Sequence, residues 1–474
     1  MTLGSQGVMF VLQLGSTMIL ARILTPYDYG INAMAVAITG FANIFSNLGL
    51  STATVQRSDI THEQVSTLFW INATIGVLLT LLVAVLSPAV VWFYNAPEML
   101  WVILSLSIVF IINGLSVQHS ALLTRQMRFY SIAKIRVLAM LSGILVAIVS
   151  ASCGFGYWAL VLNTLTLMTV STLGFWFACG WVPQKPRWDV GVGAMVKFGA
   201  DLVCFDVVNY FARNLDNILI GRFWGAGDLG LYSKAYQLLM MPITNLRDPL
   251  TNVALPAISR LQNNPENYRD YYLKCVSLLA FMSMPIIAFM FVCTDQLIIL
   301  LLGSQWLGAS QIFKILAVAA FIQPVSGTSG MILISTGQSR LYLKLGIFSA
   351  VIYCLSFVAG LPYGAKGVAA GYAIANYLLL FPMLFYTFKN TSVSVCDFMR
   401  TVFRPLVASI TSGISLFIFL TLYSGYINIF LFIFLGSIVF LFIYIIAYLI
   451  LPGGIDDLRS YCLYIFSIYR RKKK

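Results

Sequence analysis

Charge is what this sequence has least of: Asp, Glu, Lys and Arg make up 9% of its 474 residues. A soluble protein needs roughly a quarter of its residues charged to cover its surface. With 60% hydrophobic residues and a mean hydropathy of +0.89, this chain must place its apolar surface in lipid. Its two histidines, His62 and His119, stand far apart in the sequence, so a histidine-based metal site is not expected. The eight cysteines form no C-x-x-C pair and no metal-ligand spacing, so they read as apolar fillers. No Walker A loop, G-x-S-x-G elbow, H-E-x-x-H helix or pair of loop carboxylates occurs. The chain is therefore expected to be no enzyme, to need no cofactor, and to hydrolyse no ATP. Transport would draw on an ion gradient, the membrane potential or the substrate's own concentration. The net charge of +13 rests on only 29 Lys and Arg, scattered between apolar runs, so no nucleic-acid partner is implied.

What the chain does have is apolar runs of the ~20 residues a helix needs to cross a bilayer, rather than the ~10 alternating residues of a barrel strand. About fourteen occur, near 4–21, 31–50, 68–93, 99–119, 137–153, 157–178, 197–220, 230–256, 273–294, 308–334, 342–360, 366–388, 402–423 and 427–450. The first has no basic n-region and no A-x-A-like site, so it is not read as a cleavable signal peptide. With the N-terminus inside, 22 of the 29 Lys and Arg fall in the even-numbered loops and the tail, among them Arg57, Arg125, Arg128, Lys134 and Arg136. Arg22, Arg222, Lys234 and Lys366 fall opposite, while Arg213, Arg247 and Lys314 lie at membrane depth. This positive-inside bias places both termini in the cytoplasm.

A repeat runs through the chain. Shifted by 200 residues, Arg22, Asp28, Gly30 and Ala35 meet Arg222, Asp228, Gly230 and Ala235. Further on the shift is 210, and Ser116, Leu123, Lys134 and Gly154 meet Ser326, Leu333, Lys344 and Gly364. Each copy holds six spans, an even number, so both enter the membrane from the same side. Such a parallel repeat is the plan of two-lobed, alternating-access transporters with a midplane site. The expected fold is an all-α integral membrane protein with two pseudo-symmetric six-helix lobes, 1–179 and 197–388, joined by a cytoplasmic linker at 180–196. Spans thirteen and fourteen (389–450) and a basic amphipathic tail (451–474) lie outside the repeat, the tail facing inner-leaflet lipid.

Ionisable groups at membrane depth are costly, so each is a functional candidate. Asp206, Asn209, Arg213, Asp216 and Asn217 fall on one stripe of span seven, facing a cavity or a partner helix. Either Arg213 and Asp216 form a buried pair that locks the lobe, or Arg213 meets an anionic ligand while Asp206 and Asp216 tune it or bind a coupling cation. Gln6, Gln13 and Ser16 are their counterparts in the first copy. Span eight adds Arg247 and Asp248, and its Pro242, Pro249 and Pro256 predict a helix able to bend. Asn43 and Asn47 of span two, and Lys314 and Gln323 of span ten, complete the candidates; for Lys314, simple snorkelling is the alternative reading. No metal site is expected.

The segments LARILTPYDYG, GLSTATVQRSDIT, LLTRQMRF, ARNLDNILIGR, GLYSKAYQL, LPAISRLQ and GVAAGYAIAN resemble the Wzx-type polysaccharide flippases. Within these the colanic-acid exporter branch of the polysaccharide transport family is nearest, in the superfamily of the multidrug extruders and the lipid II flippase. The likeness runs to about residue 390. Relatives ordinarily carry a short basic segment and a further helix ahead of the position that is Met1 here, so the resemblance implies an N-terminal piece is missing. It implies a substrate, an oligosaccharide repeat unit on undecaprenyl pyrophosphate, moved from the cytoplasmic to the periplasmic leaflet of a bacterial inner membrane. Partners then include membrane lipids, a polysaccharide polymerase and chain-length or export machinery, with the chain acting as a monomer. Arg213 and Arg247 suit the pyrophosphate, because a guanidinium binds it bidentately. Tyr210, Trp224, Asn209 and Asn217 suit the sugars, and Arg57, Arg125 and Arg128 are placed to collect the substrate. The alternatives are an ion-coupled multidrug or metabolite exporter, and a membrane glycosyltransferase or polymerase. The last needs a large extramembrane loop, and every predicted loop is short.

Overall fold

The computed structural model describes residues 3–47, 51, 54–55, 60–187, 193–423, 429–455, 457 and 459, with the backbone alone at 3, 5, 46–47, 193–209, 212 and 423. The described residues are helical almost throughout. In chain order they form α1 (Leu3–Ile23), α2 (Pro26–Asn47), α3 (His62–Tyr94), α4 (Met99–Arg125), α5 (Phe129–Ser152) and α6 (Trp158–Cys179). The long run Gly193–Arg260 follows, as two arms, α7 (193–224) and α8 (226–260). Then come α9 (Pro265–Val292), the short α10 (Thr294–Leu301), α11 (Ala309–Ser326), α12 (Ser329–Ser335), α13 (Ser339–Gly360), α14 (Gly364–Phe388), α15 (Val395–Tyr423) and α16 (Ile429–Ile450).

Hydropathy alone located these helices closely. Among the described residues ten helical stretches are long and apolar enough to cross a membrane, one of them, Ser339–Phe388, covering both α13 and α14. The expected spans outside that set are α2, α7 and α8. They are helical too, but polar residues dilute their hydropathy.

The chain divides into two compact units, one of Met1–Ser233 with Leu301–Gln305, the other of Lys234–Leu300 with Trp306–Lys474. In the first unit α3 packs along α4 and α5 along α6. Gly76 and Gly114 mark the α3–α4 crossing: a Cβ on Gly76 would come 2.5 Å from the Phe110 carbonyl oxygen, and one on Gly114 2.6 Å from that of Asn72. Helices in lipid gain most from such close backbone approach, because no hydrophobic effect drives them together. Gln305 caps the end of α1 by donating to the carbonyls of Ala21 (2.6 Å) and Leu24 (3.1 Å).

The expected linker at 180–196 lies within the first unit. As far as residue 187 it is tied to the start of α3. Trp70 Nε1 donates to the Gln184 carbonyl (2.7 Å), Trp181 Nε1 to His62 Nδ1 (2.9 Å), and the Arg187 N–H to Thr67 Oγ1 (3.1 Å). His119 stacks on Trp176 at 4.3 Å between ring centroids, so the histidine serves packing. Residues 188–192 lie outside the described set.

The repeat has a physical centre in the first unit. A Cβ on Gly30 would collide with the carbonyl of Ala226, and one on Gly230 with that of Pro26. These are the same contact seen from its two ends under the 200-residue shift. In the second unit α9 packs on α15, α11 on α14 and α15 on α16. Arg269 reaches Asp397 through two bonds (3.0 and 2.6 Å), and the Tyr444 hydroxyl donates to the Phe281 carbonyl (2.9 Å). Spans thirteen and fourteen are thereby fastened to span nine.

Candidate functional site

The charged stripe of α7 divides on folding. Arg213 is exposed, whereas Asp216 is only 6% exposed. The Arg213–Asp216 pair, one of the two readings of the stripe, does not form among the described residues; Asp216 instead accepts from the Tyr232 hydroxyl (2.8 Å) and the Asn217 N–H (2.8 Å). Asp216 and Tyr232 are sixteen residues apart, about 24 Å along a straight helix;. They meet because the chain turns at Gly225, whose φ of 81° and ψ of −178° are open to glycine and strained for other residues. Asn217 Oδ1 is buried without a partner among the described residues. Asp206 and Asn209 lie on helical backbone, but their side chains are outside the described set.

Gly225 is also the departure from helical dihedrals within the run, whereas Pro242, Pro249 and Pro256 keep helical dihedrals. A glycine free to take positive φ reverses the chain, whereas proline removes one hydrogen bond and leaves its neighbours helical. Arg247 pairs with the adjacent Asp248 at 3.0 Å. Lys234, expected on the opposite side, is buried inside α8 and donates to Gln237 (2.8 Å). Lys314 pairs with Asp295 at 2.8 Å. Burial raises the Asp295 carboxyl, but the Lys314 ammonium and the Ser310 side chain together outweigh it and leave the group below its ordinary carboxylate value. Gln323 donates to the Tyr372 hydroxyl (2.8 Å).

On the first copy's side, Gln13 is exposed on α1, and Asn113 donates to Asn43 through a long 3.5 Å bond. The side chain of Asn47, and Arg57 altogether, lie outside the described residues. Arg125 donates to the Thr54 carbonyl (3.0 Å) and Arg128 to that of Ala178 (2.8 Å), so both guanidiniums bind backbone ends. Tyr210 lies against Gly40 and donates to the Ala37 carbonyl (2.5 Å), while Trp224 is exposed.

A pocket of about 680 Å³ opens within the first unit among α1, α4, α5 and α6. Its polar lining is Asn113, Ser116, Ser120 and Thr124 from α4, Arg136 from α5, Ser171 and Thr172 from α6, and Ser51. The sequence reading missed these residues because it looked for charge at membrane depth. A signal was present all the same: 113, 116, 120 and 124 recur at helical spacing and make a polar stripe on α4.

Residues 19–311 match the family of polysaccharide biosynthesis proteins. The chain belongs to that family. It is similar to the teichuronic acid biosynthesis protein TuaB of Bacillus subtilis, 27% identical over 86% of this chain and 85% of TuaB. It is also similar to the lipopolysaccharide biosynthesis protein WzxC of Escherichia coli, 25% identical over 84% and 83% of the two chains. Among solved structures, the inward closed conformation of the lipid II flippase MurJ covers 94% of this chain, and 96% of MurJ is matched, with a TM-score of 0.74 at 15% identity. At that identity the likeness establishes the fold. This is a multi-pass membrane protein of the polysaccharide biosynthesis family, built on the fold of the lipid II flippase MurJ.

Proposed function

We propose that this protein flips undecaprenyl pyrophosphate-linked oligosaccharide repeat units across the bacterial inner membrane by alternating access, supplying exopolysaccharide, lipopolysaccharide or capsule synthesis. The observation that carries the reading is the coincidence of family and fold: residues 19–311 match a polysaccharide biosynthesis family, on the framework of a flippase for a lipid-linked sugar. In this reading the lobes 1–179 and 197–388, joined by the linker 180–196, alternate access between them, with both termini cytoplasmic. Arg213 and Arg247 hold the pyrophosphate in a central cavity, and Asn209, Asn217, Gln13, Asn43 and Asn47 bond the sugars. Arg57, Arg125 and Arg128 gather substrate from the cytoplasm. Asp206 and Asp216 carry the coupling ion; the burial of Asp216 against uncharged donors supports this, because an uncompensated carboxylate at membrane depth is costly unless it binds a cation or proton. The protein acts as a monomer in lipid and passes its cargo to a polymerase and to chain-length or export machinery.

Deletion of the gene in its own host tests the proposal. Surface polymer should be lost, and lipid-linked repeat units should accumulate on the cytoplasmic side of the membrane. Retained polymer, with loss of resistance to lipophilic cations, would favour a multidrug exporter instead.

A further inference from the structure

The pocket inside the first unit has chemistry of its own. Its polar lining includes Asn113, Ser116, Ser120 and Thr124 of α4, Arg136 of α5, Ser171 and Thr172 of α6, and Ser51, and Met140, Met168 and Phe175 supply apolar wall. A hydroxyl at membrane depth ordinarily satisfies itself on its own helix, as Thr124 does on the Ser120 carbonyl (2.9 Å). Thr172 instead bonds across to the Ile112 carbonyl of α4 (3.3 Å), tying α6 to α4 at the pocket. The hydroxyls of Ser120 and Ser171 make no hydrogen bond among the described residues, though both are half-buried pocket walls. Each is a donor and a double acceptor.

Ser51 and Val55 line the pocket as well. Beside Val55, Thr54 is pinned in two places: Thr54 Oγ1 donates to Gln118 Oε1 (2.9 Å) inside the protein, and Arg125 holds the Thr54 carbonyl (3.0 Å). Arg125 is thus a positioning residue for this wall. The volume, about 680 Å³, falls within the 300–1,000 Å³ usual for a small-molecule site.

Among the described lining residues Arg136 is the charged one, amid hydroxyls and the Asn113 amide, which does not suit a bare polyanion, since that needs several cations. It suits a group with one phosphate edge and many hydroxyls. An apolar wall of Met and Phe matches the C–H face of a sugar ring, and Arg supplies the paired donors that a phosphate accepts. We infer that this pocket is a glycosyl-phosphate subsite, in which Arg136 takes the phosphate and the Ser, Thr and Asn side chains take the hydroxyls of the sugar attached to it. The assignment rests on the flippase reading above. It adds a place inside one unit, remote in sequence from Arg213 and Arg247, where the first sugar of the cargo is read.

Binding to the full chain in lipid nanodiscs tests it, with undecaprenyl pyrophosphate, undecaprenol and inorganic pyrophosphate as probes. Arg136→Gln should weaken undecaprenyl pyrophosphate binding about tenfold or more, since a charge-assisted paired bond is lost, while undecaprenol binding stays the same. Arg136→Lys should recover only part of the loss. In cells, Ser171→Trp should fill the pocket and abolish surface polymer at equal membrane abundance. The smaller double change Ser120→Ala with Ser171→Ala should lower polymer without lowering the melting temperature, which covers the case of a misfolded Trp variant. Wild-type binding by Arg136→Gln, or normal polymer from both serine variants, overturns the assignment. So does inorganic pyrophosphate binding as tightly as the lipid form, because the site would then serve a free anion. If the wild type binds no pyrophosphate lipid and gene deletion accumulates no lipid-linked units, the flippase reading itself has failed; if both hold and only the pocket variants are silent, the subsite alone is wrong.

Discussion

Gly30→Ala and Gly230→Ala probe the centre of the repeat. Each new methyl would press on a backbone carbonyl, that of Ala226 for Gly30 and that of Pro26 for Gly230. A carbonyl cannot rotate away as a side-chain tip can, so the two segments must part by more than about 1 Å to restore ordinary contact distances. Overpacking costs typically ~1–3 kcal/mol, and a backbone obstacle puts these two at the upper end. Against this stands the gain of ~1 kcal/mol from replacing glycine by alanine within a helix. The net expectation is a loss of about 1–2 kcal/mol for each single variant. Gly227→Ala is the internal control: it lies three residues from Gly230, and a Cβ there meets nothing within 4 Å. Thermal unfolding in detergent, followed by tryptophan fluorescence, should show Gly30→Ala and Gly230→Ala melting lower than wild type, and Gly227→Ala at or above it. Equal melting temperatures for Gly230→Ala and Gly227→Ala would refute the reasoning, because the two differ chiefly in what the methyl would strike. The double variant should cost less than the sum of the singles, since one separation relieves both collisions.

Tyr232→Phe should destabilise the protein by about 1–3 kcal/mol, because it removes a donor from a buried carboxylate, and Asp216→Asn on the same background should recover part of that in the same melting assay. Arg213→Ala is expected to abolish export and Arg213→Lys to retain little of it, measured as surface polymer at matched protein level, since an ammonium cannot reproduce a guanidinium's paired bonds. Neutralising Arg470 to Lys474 should leave polymer close to wild type: each charge is worth only ~1 kcal/mol at an anionic surface, and salt screens it. A loss as severe as that of Arg213→Ala would make the tail part of the mechanism.

Residue types and their periods settled much of this protein before any folding was considered. A chain that is 9% charged must live in lipid, and apolar runs of bilayer length place its helices to within a few residues, since each helix satisfies its own backbone bonds and needs no partner to form. The 200-residue shift that pairs Gly30 with Gly230 was equally visible, because duplication leaves its mark in the residues themselves. Why both are glycine was not, for the reason is a backbone on the order of 600 Å away along an extended chain and in contact in the fold. The α7 stripe shows the same limit: helical spacing put Arg213 and Asp216 near one another, yet the turn at Gly225 brings Tyr232 back to Asp216 and leaves Arg213 exposed. The pocket is the clearest case. Its α4 stripe was written at helical spacing, but a stripe says only that one face is polar. That this face meets Arg136 of α5 and Ser171 of α6 around an open volume, rather than closing against another helix, is a matter of how three helices pack, and packing depends on side chains far apart in the chain.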